Sequence, residues 1–240
     1  MEELNDFLPE NHKREEINYL FNGNPTVKHL IESIGIPHTE IGDIVINSRV
    51  VDLTSKVENK DKVLVSPKKK YPNGINGKNN IHDVLGNPRF VLDNHLGKLA
   101  VYLRMFGLDT LYSNDFQDEL LTEIASKNER ILLTRDRELL KRKVIIYGYW
   151  IRNIKPILQI KEIINRYGIG NNLRLFNRCL KCNNPLHKIE KARIINRLEP
   201  LTREHYNEFY YCNNCDQVYW KGSHYQRMLD FMTSILNRGE

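Results

Sequence analysis

The 240-residue sequence has no apolar run approaching the ~18 residues that a membrane-spanning helix needs. Its first residues, MEELNDFLPENHKREE, are too polar for a secretory signal. A soluble, cytoplasmic protein with no membrane partner is the expectation. Cysteine is scarce, at four residues, and all four fall in two C-x-x-C pairs, Cys179/Cys182 and Cys212/Cys215. That usage argues against a secreted disulfide scaffold, which would spread its thiols more evenly. Charge of one sign is not dominant either: 36 Lys+Arg stand against 30 Asp+Glu, a formal +6. The surplus is uneven, with 11 basic and 12 acidic residues over 1–80, 14 and 11 over 81–170, and 11 and 7 over 171–240. A polyanionic partner would therefore gain most from the last two thirds. With 40% hydrophobic and 28% charged residues, most of the chain is expected to fold around buried cores.

Residues 1–66 read as a small α+β unit. EINYLF (16–21) is strand-like, and TVKHLIESIGI (26–36) places Val27, Leu30, Ile31 and Ile34 on one helical face. Gly35 suits the C-cap and Pro37 prevents continuation. GDIVINSRVVDL predicts one or two short strands, and KVLVSP a last one. SPKKKYPNGINGKNN (66–80) holds two Pro, two Gly, four Asn and four Lys, a polar composition that cannot bury a core. It marks a linker over 67–86. From RFVLD (89–93) the pattern alternates: helix 95–107, strand DTLY (109–112), helix 116–128, strand RILLT (130–134), a short helix in DRELLKRK, strand 144–151 and a last helix in KPILQIKEIINRYGI. Such alternation implies β-α-β units and a parallel sheet flanked by helices over 87–170. Residues 171–240 form the remaining unit, the two cysteine pairs and a C-terminal helix.

In open parallel sheets, ligands bind beyond the carboxyl ends of the strands. Asp93 ends the first strand, Asp136 follows the third, and Asp118 opens the second helix from the same edge. Clustered carboxylates repel unless a cation neutralises them, and hard oxygen ligands suit Mg²⁺ or Mn²⁺. Such a site can activate water and stabilise the leaving oxygen of a phosphodiester. The alternative is capping: Asp93 and Asp136 as N-caps, and Asp118 in a helix first turn boxed with Asp115. Lys98, Arg104, Arg135 and Arg137 flank these acids as candidate phosphate ligands, although Arg104 also suits packing. His95 and His224 are weaker candidates for acid-base work. The two C-x-x-C pairs match a closed tetrahedral Zn²⁺ site, with strand-like FYYC and QVYW around the second pair. Tyr210, Tyr211, Tyr219 and Trp220 could stack bases or pack a small core.

HLIESIGIPHTEIGDIVINSRVV and NKDKVLVSP resemble the β-grasp fold of ubiquitin-like sulfur carriers. Those carriers use a free C-terminal Gly-Gly, whereas this chain runs on through SPKKKYPN, so a fused binding or packing module is expected instead. FVLDNHLGKLAVYLRMFGLDTLY, DEL, RILLTRDRELLKR, NRCLKCNNPL and FYYCNNCDQVYWKGSHYQRM resemble the Mut-seven C-terminal ribonuclease family, a branch of the PIN-like nucleases. The resemblance implies a PIN-like sheet preceded by a β-grasp module, a divalent-metal acidic site and RNA as substrate. It maps metal-binding roles onto Asp93, Asp118 and Asp136, and leaves a fourth acid among Asp115, Glu119 and Glu138. The expected function is a metal-dependent ribonuclease with a zinc ribbon that supports the fold and contacts RNA. A non-catalytic RNA-binding adaptor is the alternative. The β-grasp unit is the candidate site for a protein partner, and its separation from the acids by a linker makes it expendable for chemistry. Endo- versus exonucleolytic cleavage and oligomeric state stay open.

Overall fold

The computed structural model describes residues 2–68, 88–169 and 177–236. The N-terminal unit comprises α1 (Glu2–Asn5), α2 (Val27–Ser33) and an antiparallel sheet of β1 (Ile41–Ile46), β2 (Arg49–Val51) and β3 (Val63–Pro67), in the order β2-β1-β3. Helix α2 starts because the Thr26 side chain accepts the His29 N–H at 3.3 Å. It stops at Gly35, whose φ of +105° suits only a residue without Cβ. Val27 and Ile31 of α2 pack with Ile41, Ile44 and Ile46 of β1, and with Leu4 and Phe7 from the N-terminal segment. Segment 16–21, expected as a strand, is not one. Leu20 is 96% exposed there, so its apolar groups meet no sheet to pack on. Of the expected linker, Pro67 closes β3 and Lys68 is pinned, donating its N–H to the Glu40 carbonyl at 2.8 Å. Residues 69–86, including Lys69 and Lys70 of the KKK run, lie outside the described residues.

The middle of the chain is a parallel sheet of β4 (Arg89–Leu92), β5 (Asp109–Leu111), β6 (Ile131–Thr134) and β7 (Gly148–Trp150), ordered β5-β4-β6-β7. Phe90, Val91 and Leu92 of β4, and Ile131, Leu132 and Leu133 of β6, have no exposed surface, the mark of strands covered on both faces. One face packs on α3 (Gly97–Met105) and α6 (Pro156–Tyr167) through Leu99, Leu103, Ile160 and Ile163. The other packs on α4 (Asp118–Lys127) and α5 (Arg137–Lys141) through Leu121, Leu139 and Leu140. Strand β7 is shorter than the apolar run 144–151 suggested, because Val144 and Ile146 face solvent and pairing starts only at Gly148.

The last unit contains β8 (His187–Ile189), α7 (Lys191–Ile194), α8 (Pro200–His205), β9 (Phe209–Cys212) and β10 (Gln217–Trp220), with an antiparallel sheet ordered β10-β9-β8. Helix α9 (Ser223–Leu236) then returns to the parallel domain, burying Met228, Met232 and Ile235 in the α3/α6 core. Among the described residues, no helix is long and apolar enough to cross a membrane.

Both outer strands of the parallel sheet are covered. On the β7 side, Glu40 is 2% exposed and accepts the Trp150 N–H at 2.8 Å, while Arg152 Nη2 approaches its carboxylate at 3.5 Å. His38 Nε2 lies 2.8 Å from the Ile145 carbonyl, and the Phe7 and Trp150 rings are 5.0 Å apart. The N-terminal unit thus packs directly against the β7 edge of the parallel sheet. On the β5 side, Asn183 accepts the Thr110 N–H at 2.8 Å and donates to Asp109 Oδ1 at 2.8 Å. Arg130 completes this cluster, 2.7 Å from Asp109.

Candidate active site and metal centre

Asp93 follows the carboxyl end of β4 and is 6% exposed. Its Oδ1 accepts the His95 N–H at 2.8 Å, which caps a single 3₁₀ turn over Asn94–Leu96. Its Oδ2 accepts the Thr134 hydroxyl at 2.5 Å and the Arg135 N–H at 2.9 Å. Thr134, the last residue of β6, also accepts the Asp136 N–H at 2.9 Å. One hydroxyl therefore joins the two acids that end adjacent parallel strands. Asp136 is exposed and N-caps α5 by accepting the Glu138 N–H at 2.8 Å. The His95 imidazole, one of the weaker acid-base candidates from sequence, sits 3.5 Å from Asp93 Oδ1.

Asp118 is the first residue of α4. It forms no box with Asp115; the N-cap position is Gln117, without a side-chain cap, and Asp115 bonds instead to Ser113. The Asp118 carboxylate is engaged by Arg142 at 3.3 Å, and the same guanidinium lies 3.4 Å from Glu119. Glu138 pairs with Lys141 at 2.6 Å. The acids considered for a fourth position thus each have a partner on the protein. Among the described residues, only the four cysteines bring three or more metal-capable side chains within 4.8 Å of one another.

The flanking cations divide. Lys98 is exposed on α3, and Arg135 is half-buried, donating to the Asn153 carbonyl at 2.7 Å. Arg104 is 3% exposed and donates to the carbonyls of Thr110, Leu180 and Lys181, each at 3.0 Å. These bonds make it a clamp between α3, β5 and the first cysteine pair, the packing role that the sequence also allowed. Arg137 donates to the carbonyls of Asp6 (3.0 Å) and Phe7 (3.3 Å) and stacks 4.0 Å over Trp150. Its guanidinium thus ties the parallel domain to the N-terminal unit. His224 is exposed in the first turn of α9.

The four thiols converge from a loop before β8 and from the β9–β10 turn. Cys179 and Cys212 are fully buried. Sγ of Cys179 lies 3.3 Å from that of Cys215, and Sγ of Cys182 lies 3.3 Å from that of Cys212. These separations are far beyond a disulfide bond. They fit four ligands around one tetrahedral ion. Burial opposes ionisation of Cys182, but hydrogen bonds from the Asn184 backbone and from Cys212 bring its pKa down to about 6. The Tyr219 hydroxyl reaches Cys179 Sγ at 3.1 Å and accepts the Leu180 N–H at 3.2 Å. The sequence grouped Tyr219 with aromatics that stack bases or pack a small core and passed over Thr134; a hydroxyl two residues before Asp136 in LLTRD was the available signal.

An acid-bearing parallel sheet, with a small antiparallel domain on one outer strand and a four-cysteine lobe on the other, defines the class: a multidomain α/β protein. The family model described as the Mut7-C RNAse domain matches residues 88–232, and the one described as Mut7-C ubiquitin matches residues 1–72. The chain belongs to the Mut7-C ribonuclease family and carries its N-terminal ubiquitin-like domain. No curated protein and no solved structure matches it.

Proposed function

We propose that the protein is a divalent-metal-dependent ribonuclease with a PIN-like sheet, and that Asp93, Asp118 and Asp136 hold Mg²⁺ or Mn²⁺ at its carboxyl edge. The carrying observation is the buried Asp93 carboxylate at the end of β4, tied through Thr134 to Asp136 at the end of β6. The match of residues 88–232 to a ribonuclease family supports the same reading. Hard carboxylate oxygens on one sheet edge are the donor set such ions select. Bound there, the cation supplies water activation and charge stabilisation at a phosphodiester. The chain's own residues do the rest. Thr134 and the Arg135 N–H fix the Asp93 carboxylate in one rotamer. Lys98 and Arg135 flank the edge as phosphate ligands. Arg142 engages Asp118, so a cation held there would compete with that guanidinium for the carboxylate. The cysteine quartet takes one structural Zn²⁺ and has no open position for chemistry.

A second reading, an RNA-binding adaptor, is favoured by the capping bonds that Asp93 and Asp136 make. Asp→Asn changes at 93, 118 and 136, assayed for cleavage of labelled RNA and DNA in Mn²⁺ or EDTA, separate the two. The ribonuclease reading expects cleavage to collapse in each variant, non-additively. The adaptor reading expects each capping change to cost ~0.5–2 kcal/mol with no cleavage to lose. Wild-type-like cleavage in any two variants sinks the shared-metal mechanism.

A further inference from the structure

A concavity in the cysteine lobe is lined by none of the candidate acids. It has a volume of about 470 Å³, and its walls include His187, Lys188, Arg193, Arg197, Tyr211 and Asn213. Three of these six side chains are permanent cations. Acidic groups touch the rim at two points: Asp216 pairs with Arg197 at 2.9 Å, and Glu208 with Lys188 at 3.4 Å. Neither neutralises the groove. Lys188 remains 72% exposed, and Arg193 is exposed with no ion pair among the described residues.

Asp216 has a second effect, because it also accepts the Tyr211 hydroxyl. One carboxylate therefore holds Arg197 and Tyr211 together, with the guanidinium 5.8 Å from the ring centre. His187 is the cross-strand partner of Tyr211 in the β8–β9 ladder. The result is an aromatic surface fixed in advance, with cations and an amide around it. An unpaired base can stack on such a surface while its phosphates meet the cations. A duplex hides its base faces and could use only the charge.

The lobe is fastened at the amino edge of the parallel sheet. Asn183 and Arg104 bind Thr110 and Asp109 at the start of β5, whereas Asp93 and Asp136 follow the ends of β4 and β6. We infer that this groove is a second binding site for single-stranded RNA, an anchor that holds the substrate away from the edge where it is cut. The inference rests on the ribonuclease reading for its role, but not for its binding. An anchor so placed rewards length: a long RNA engages both sites, and a tetranucleotide reaches one.

The test uses the full chain and its Lys188→Gln/Arg193→Gln variant, with unchanged metal content and circular dichroism as the folding control. Binding of a labelled single-stranded RNA of about 20 nucleotides, longer than the ~4–16 that one single-strand-binding fold covers, is measured by anisotropy across a salt series in EDTA. The variant is expected to bind roughly tenfold more weakly, with the slope of log K against log salt reduced by about 0.7 per lost phosphate contact. In Mn²⁺, the advantage of the long RNA over a tetranucleotide in kcat/KM is expected to shrink with it. Unchanged affinity and slope overturn the anchor, as does competition by duplex RNA or polyglutamate as strong as by single-stranded RNA. A wild-type protein that binds but never cleaves removes the ribonuclease reading and leaves the groove standing.

Discussion

The two outer strands of the parallel sheet face the same problem and solve it with different chemistry. An uncovered edge strand presents unpaired N–H groups, a template for unwanted pairing. On β7 the Trp150 N–H is taken by a carboxylate, Glu40, from the N-terminal unit. On β5 the Thr110 N–H is taken by an amide, Asn183, from the cysteine lobe. Arginines support both acceptors, Arg152 at Glu40 and Arg130 through Asp109 at Asn183. The difference is charge. Burial pushes Glu40 above the usual carboxylate range despite Arg152, while the Asn183 amide does not titrate. The two seams are therefore expected to respond to pH in opposite directions, through Glu40 on the β7 side and through Asp109 beside Asn183 on the β5 side.

The largest effect should come from metal at the β5 side. Structural zinc contributes of order 10 kcal/mol to small zinc modules. Chelation or Cys179→Ser should melt the cysteine lobe and free β5, while the β7 side stays docked. Hydrogen exchange at Thr110 and Trp150 reads the two seams separately, and equal protection at both after chelation would break the asymmetry. Next comes Glu40→Ala, which leaves Trp150 N–H and Arg152 buried without their partner and should cost ~3–5 kcal/mol in denaturant unfolding. Asn183→Ala, which removes a neutral acceptor, should cost less, ~1–3 kcal/mol.

The smallest effect is the pH dependence. A carboxylate with a raised folded pKa contributes stability that is present below the ordinary glutamate range and lost as pH rises through the folded value. Wild-type melting temperature should fall across that window by more than that of Glu40→Gln, which mimics the protonated acid. Parallel pH profiles for the two proteins would show that Glu40 is not the source. Asp109 runs the other way: burial opposes ionisation, but hydrogen bonds from Arg130 and Asn183 outweigh it and hold the carboxyl below its ordinary value. Its contribution is present above the ordinary aspartate range and disappears as pH falls through the folded value.

The pattern of these seams explains what the sequence disclosed. The strands of the parallel sheet read clearly, because RFVL and ILLT are apolar runs buried on both faces between helices of clear period. Cysteine spacing located the four-thiol cluster, since two C-x-x-C pairs leave few arrangements for four thiols. Asp93 and Asp136 were legible as strand ends. The arginines were not. Arg104 and Arg137 have the same local context as a phosphate ligand, and only the chain returning some 75–130 residues away shows that backbone carbonyls already occupy them. Segment 16–21 failed for a related reason: composition favoured a strand, but a strand needs a neighbour, and pairing is not a local property.

The contact between Phe7 and Trp150 also sets a clock. A residue near the start of the chain is finished as a packing surface only when residues 137–152 exist to meet it, through Arg137, Trp150 and Arg152. At synthesis rates of ~5–20 residues per second, the ring of Phe7 waits roughly 7–30 s after its own peptide bond forms. During that interval the ubiquitin-like unit can assemble its sheet but not its docking face.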